Sequence, residues 1–199
     1  MSNESDYIFF WDHIVTPTNP YSLAVFSQWY PLAFTEHEPD PSLLDPRPRT
    51  HPHTLPDIKP SPTTMTTTSL STSSSQVRDR IFKTAEHYMM YRKALLFDPS
   101  RAQDVIDAST PSEAQKIGRE LTGFDRKIWD KYNDGIVERA NYLKFGQDSD
   151  GLALNTVLNT GKGDKVMVMV EASPKDRIWG IGYGREDAWE HREDWGTNR

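Results

Sequence analysis

The feature that most limits what this chain can fold into is a tract from Glu36 to Gln76 that has little to give a packed core. Eight prolines lie between Pro39 and Pro62, and twelve of the fifteen residues from Ser61 to Ser75 are Ser or Thr. Each proline removes a backbone donor and clashes with a preceding helical turn. The Ser/Thr run has no apolar surface to offset an ordering cost of about 1–2 kcal/mol per residue. The tract therefore reads as a disordered insertion, and residues 1–35 and 77–199 read as one domain interrupted by it. A chain of 199 residues leaves no room for two domains of ordinary size. His37, His51 and His53 fall in the same tract; the pair His51 and His53 has no third ligand beside it, so no metal site is expected.

The chain has no cysteine, which excludes thiolate nucleophiles, disulfides and thiolate metal centres. A net charge of -6 repels phosphate overall, so any nucleic-acid contact must use a local basic cluster such as Lys162, Lys165, Lys175, Arg177 and Arg185. A nucleotide-sized anionic ligand fits this charge more easily. Met1 to Asp6 lacks the basic and apolar regions of a secretory leader, and no apolar run approaches the ~18 residues of a membrane span. The expectation is a soluble intracellular protein, cytoplasmic or nuclear, with no membrane partner.

Hydrophobic spacing sets the elements. Tyr7 to Trp11 is an aromatic run that suits a buried strand, and Phe26 to Pro31 follows a Pro/Asn turn region. Thr84 and Ala85 open a helix that runs from Glu86 to Phe97 and that Pro99 closes. Thr110, Pro111 and Glu113 form an N-cap, a first-turn proline and a capping-box acid, with Gly123 as the stop. From Asp125 to Gln147, Ile128, Trp129, Tyr132, Ile136, Val137, Ala140 and Leu143 recur at three- and four-residue spacing, the mark of a long amphipathic helix. Asp150 begins a shorter one, from Gly151 to Thr160. Lys165 to Glu171 alternates Val with Met and reads as a strand buried on both faces, followed by a loop from Ala172 to Arg199. The fold class is α+β: a mainly helical single domain on a small sheet made from the N- and C-terminal strands.

Three clusters can carry chemistry. Glu86 and Lys93 are two helical turns apart, so they share a face with about 10 Å between them along the axis. A solvated charged face is the bland alternative, but the apolar Met89, Met90, Leu96 and Phe97 around Lys93 favour its neutral, nucleophilic form. The loop after the last strand holds Glu171, Asp176, Trp179, Gly180 and Gly182, an acid followed by an indole that can stack and glycines that allow close approach. Its alternative is a turn in which Asp176 bonds local backbone. The glycine spacing is not that of a dinucleotide fingerprint. Ser27, Gln28 and Trp29 put small polar groups beside aromatics, suited to ribose or phosphate oxygens.

The run Thr84 to Phe97 resembles the first signature of the NADAR family, the YbiA-like N-glycosidases. Ser173 to Gly182 resembles its second, and Ala114 to Arg119 a weaker third between them. The resemblance covers roughly Tyr7 to Pro31 and Ile81 to Asn198. It implies a NADAR/YbiA-like fold and hydrolysis of an N-glycosidic bond between ribose C1 and an exocyclic amine. The family's substrates include ribosylamino-pyrimidine phosphates and ADP-ribose on guanine, and no metal or organic cofactor is implied. The family's lysine falls on Lys93 and its carboxylates on Glu86 and Asp176. Trp129, Trp179 and Gly180 match its pocket-lining positions, and Ser27, Gln28 and Arg177 are expected to bind substrate beside them. Ser27-Gln28-Trp29 stands where members have Ser-Asn-Phe. Trp195-Gly196-Thr197-Asn198 resembles the opening of an element after which members continue into a final helix. A nucleotide-binding module that has lost turnover is the alternative reading.

Overall fold

The structure is a computed structural model, and it describes residues 3–17, 21–38, 78–159 and 167–199. Most of the tract expected to be an insertion lies outside them. Its first residues are a correction: Glu36 to Glu38 are ordered in a strand, and Glu36 is buried.

The order of elements is β1 (Tyr7–Phe10), α1 (Tyr21–Ala24), β2 (Phe34–Glu38), β3 (Arg78–Phe82), α2 (Ala85–Phe97), α3 (Ala102–Asp107), α4 (Pro111–Arg119), α5 (Arg126–Gly146), α6 (Leu152–Leu158), β4 (Val168–Glu171) and α7 (Arg185–Ala188). β1 pairs with β4 in parallel, joining the two ends of the sequence, with Phe10 opposite Glu171. β2 and β3 form a second, antiparallel ribbon that the sequence did not announce. The chain is thus α+β, with helices in the majority. Among the described residues no helix is long and apolar enough to cross a membrane.

Helix α2 is the centre. Thr84 caps it, its Oγ1 accepting from His87 N at 3.3 Å and bonding His87 Nδ1 at 2.8 Å, while His87 Nε2 meets the Ala108 carbonyl at 3.2 Å. The helix is buried on nearly all sides, which is why its apolar and polar residues are not segregated. β3, α3, α4 and α5 pack around it, and its core includes Phe34, Phe82, Tyr88, Tyr91 and Ile136. A separate core gathers Phe9, Val170, Ala172, Ile181 and Ala188 beside the β1–β4 pair.

The capping box at Thr110 and Glu113 forms as expected. α4 nevertheless ends at Arg119, four residues before Gly123, which adopts a φ of 71° in the following turn. Asp125 caps α5 through Lys127 N and Ile128 N. α6 is opened by Asp148, which accepts from Ala153 N at 2.6 Å, and not by Asp150. The last strand differs too. Val170 is fully buried, but Val168, on the same face at the outer end of the strand, is 44% exposed, so the core covers only the inner end of β4. Trp11, expected in the first strand, lies beyond the end of β1 and is exposed. Within the stretch read as loop, Arg185–Ala188 forms a short helix.

Candidate active site

A cavity of about 1750 Å³ opens between the two cores. α2 supplies Glu86 and Lys93 to its wall, the end of β4 supplies Glu171, and the loop beyond supplies Asp176 and Trp179. α5 contributes Trp129, and the segment after α1 contributes Ser27, Gln28 and Trp29. Side chains as far apart as Ser27 and Trp179, 152 positions, therefore share one hollow.

Glu86 lies in the first turn of α2, where a helix N-terminus favours a carboxylate. Burial overrides that preference. It pushes the carboxyl up to about 7; a hydrogen bond from the Trp29 side chain pulls it back, the nearby Glu171 adds to the rise, and Arg119 and Lys93 oppose it. Among the described residues Glu86 Oε1 has no hydrogen-bond partner, and neither does Gln28 Oε1. Buried acceptors in that state are costly, and such sites are where ligands bind or protons move.

Lys93 Nζ donates to the Gly118 carbonyl at 2.7 Å and stands 4.4 Å from the Phe124 ring centroid and 5.6 Å from that of Trp129. Burial pushes its amine below the usual lysine range; Glu86 works against this and Arg119 with it. Gly118 leaves room for this contact between α4 and α2, since a Cβ there would fall 2.1 Å from Met90 Sδ.

Glu171 is the acid that the sequence reading underweighted. Burial pushes its carboxyl up to about 7, with Asp176 adding to the rise. Its backbone is fixed by Asn198, whose Oδ1 accepts from Glu171 N at 2.9 Å and whose Nδ2 donates to the Met169 carbonyl at 2.9 Å. That amide serves β4 as a neighbouring strand would. A carboxylate at the end of a strand was visible in the sequence; its burial beside another acid was not.

Asp176 lines the cavity, but its Oδ1 accepts from Ile178 N at 2.7 Å and Trp179 N at 2.9 Å. It holds a turn, as the alternative reading had it, and orients Trp179. Two expected site residues lie elsewhere. Gly180 is buried behind the wall, where a Cβ would sit 2.8 Å from the Glu171 carbonyl and 3.1 Å from that of Asp176. Its role is to let the chain close behind both acids. Arg177 is exposed and turned away, donating to the Asp194 carbonyl at 2.6 Å and lying over the Tyr183 ring. Of the basic cluster, Lys175 reaches the cavity, Arg177 and Arg185 do not line it, and Lys162 and Lys165 lie outside the described residues.

The NADAR domain profile matches residues 9–199. The chain belongs to the NADAR family. Over 108 residues, 54% of this chain and 60% of the relative, it is 39% identical to N-glycosidase R617 of Acanthamoeba polyphaga mimivirus. Over 109 residues, 53% of this chain and 49% of the relative, it is 36% identical to Protein irg-1 of Caenorhabditis elegans. N-glycosidase YbiA of Escherichia coli is 27% identical over 107 residues, 54% of this chain and 62% of that protein. The matched part spans about half to three-fifths of these relatives. Within this NADAR domain the cavity joins an amine of lowered basicity to two carboxyls pushed up to about 7, and those two acids can exchange protons near neutrality.

Proposed function

We propose that this NADAR domain is an N-glycosidase that cleaves the bond between ribose C1 and an exocyclic amine. ADP-ribose on guanine, whose removal would reverse a nucleic-acid modification, and a ribosylamino-pyrimidine phosphate are the two substrate classes that fit. The observation that carries the reading is the shared cavity of Lys93, Glu86, Glu171 and Asp176. The names of the viral and bacterial relatives support the reaction class, and the riboflavin-biosynthesis protein of Zea mays, 33% identical over 107 residues, supports the second substrate class.

A ribosylamine opens to an imine at C1. Unprotonated Lys93 Nζ adds to that carbon; the bond to the departing base nitrogen then breaks as that nitrogen takes a proton from Glu86. Water adds to the resulting lysine imine and releases the sugar as its aldehyde, regenerating the amine. Asp176 supports the positive charge at C1 through the turn it shares with Trp179, and Glu171 holds the proton that Glu86 must recover. A direct hydrolysis is the second mechanism, with Lys93 as a cation holding phosphate. The Gly118 carbonyl and the Phe124 and Trp129 rings around Nζ favour that charged form.

The test is incubation of the full chain with guanine-linked ADP-ribose on DNA, on RNA and on free nucleotide, and with a ribosylamino-pyrimidine phosphate. Release of free base from at least one substrate is expected. Tight binding of all of them with no release would establish a binding module instead.

A further inference from the structure

The proposed chemistry leaves Lys144 without a role, yet the fold buries it completely on the last turn of α5. A lysine there ordinarily runs its stem along the surface and keeps its ammonium in water. This one donates instead to the Val25 carbonyl at 2.7 Å and to the Ser27 carbonyl at 2.9 Å. The Phe145 and Tyr30 rings stand 4.9 and 5.8 Å from its Nζ.

Both carbonyls belong to the segment that leaves α1 and enters the site. Gln28 uses its carbonyl to accept from Glu86 N at 3.0 Å, and the Trp29 side chain lines the same cavity wall as Glu86. Within the segment the backbone bonds are short turns, Ser27 N to Ala24 O at 3.1 Å and Tyr30 N to Ser27 O at 3.1 Å. Such turns fix the segment's shape but not its placement against a helix. The two bonds from Nζ tie it to α5, and Gln28 Nε2 adds a longer one, 3.3 Å, to Asn141 Oδ1.

We propose that Lys144 is a positioning residue: by gripping the Val25 and Ser27 carbonyls it holds the Gln28–Trp29 segment against the first turn of α2, where Glu86 sits. From that position the Trp29 side chain favours the ionised acid, so loosening the segment drives the Glu86 titration upward. The other groups acting on Glu86 stay in place: Glu171 from β4, Arg119 at the end of α4 and Lys93 on α2 itself. The grip survives titration of Lys144, which burial pushes down to about 7, because a neutral amine still has two N–H groups for two carbonyls.

The inference deepens the proposed function and rests on it for its bearing on turnover, but its test needs no substrate. The Glu86 side-chain carboxyl carbon, assigned by its absence in Glu86→Gln, is titrated by ¹³C NMR in the free full-length protein. Lys144→Met and Trp29→Phe are each expected to raise the midpoint by about half a pH unit or more, and the double variant no further than Trp29→Phe alone. Lys144→Gln, which keeps an amide donor, is expected to give a smaller shift of the same sign and stands in if the methionine variant does not fold. A lowered melting temperature with an unmoved Glu86 midpoint, or shifts that add in the double variant, would overturn the proposal. Failure to cleave any ribosylamine would leave this outcome unaffected and count against the proposed function alone.

Discussion

Helix α2 presents two buried acid–base constellations on different sides, and they are built on opposite principles. Away from the cavity, Glu36 of β2 accepts from Tyr88 at 3.1 Å, pairs with Arg139 at 3.2 Å and lies 3.8 Å from Arg92. Toward the cavity, Glu86 is as deeply buried, yet among the described residues no basic side chain forms an ion pair with it, and its carboxyl is pushed up to about 7. Compensation of the first carboxylate closes the ribbon onto the helix. Incomplete compensation of the second leaves a group whose proton can be moved. The difference teaches that burial alone does not mark a catalytic acid; what matters is burial with too few partners.

The largest effect expected from disturbing this arrangement is on Lys93. Lys93→Ala should lower the rate of base release by about 10³-fold or more while the protein stays folded, since it removes the proposed attacking group. A smaller loss, about 10²-fold in kcat, is expected for Glu86→Gln, whose amide cannot deliver a proton. The contrasting substitution, Glu36→Gln, should cost about 3 kcal/mol in chemical denaturation and leave the turnover of the folded fraction unchanged. Activity loss in the Glu36 variant without loss of stability would erase the distinction between the two sides.

Stability against pH sharpens the same contrast. Glu86 and Glu171 have carboxyls raised from 4.5 to about 7, so between those values the folded chain binds more protons than the unfolded one. The stability they contribute is complete below pH 4.5 and is lost as pH rises through about 7. Glu86→Gln should flatten this fall by about 2 kcal/mol, read from denaturation at the two ends of the window. The smallest effect belongs to Arg177→Ala. Its side chain faces Asp194 and Tyr183, so base release should stay within about twofold of the unaltered protein.

Much of the scaffold was legible in the sequence because its signals are local. The Thr84 and Thr110 caps, the spacing along α5 and the common face of Glu86 and Lys93 depend on residues within a few positions of one another. The β2–β3 ribbon was not legible: its two strands flank the proline tract, and Glu36 is stabilised by Arg92 and Arg139, 56 and 103 positions away. Nor could spacing tell Asp176, held in a turn, from Glu171, left to titrate. The direction of Arg177 depends on Asp194, which comes back beside it only after α7. Lys144 reads in sequence as an ordinary charge on a helix's last turn, and only the packing of the Val25–Tyr30 segment shows otherwise.

The central claim is that an uncharged amine at Lys93 meets the sugar carbon in the hollow it shares with Glu86 and Glu171. Reduction with borohydride during turnover, followed by peptide mass spectrometry, tests it most directly. The account expects a stable sugar adduct on the peptide carrying Lys93 and none in Lys93→Ala. Continued base release with no adduct, together with an unimpaired Lys93→Ala protein, would contradict it.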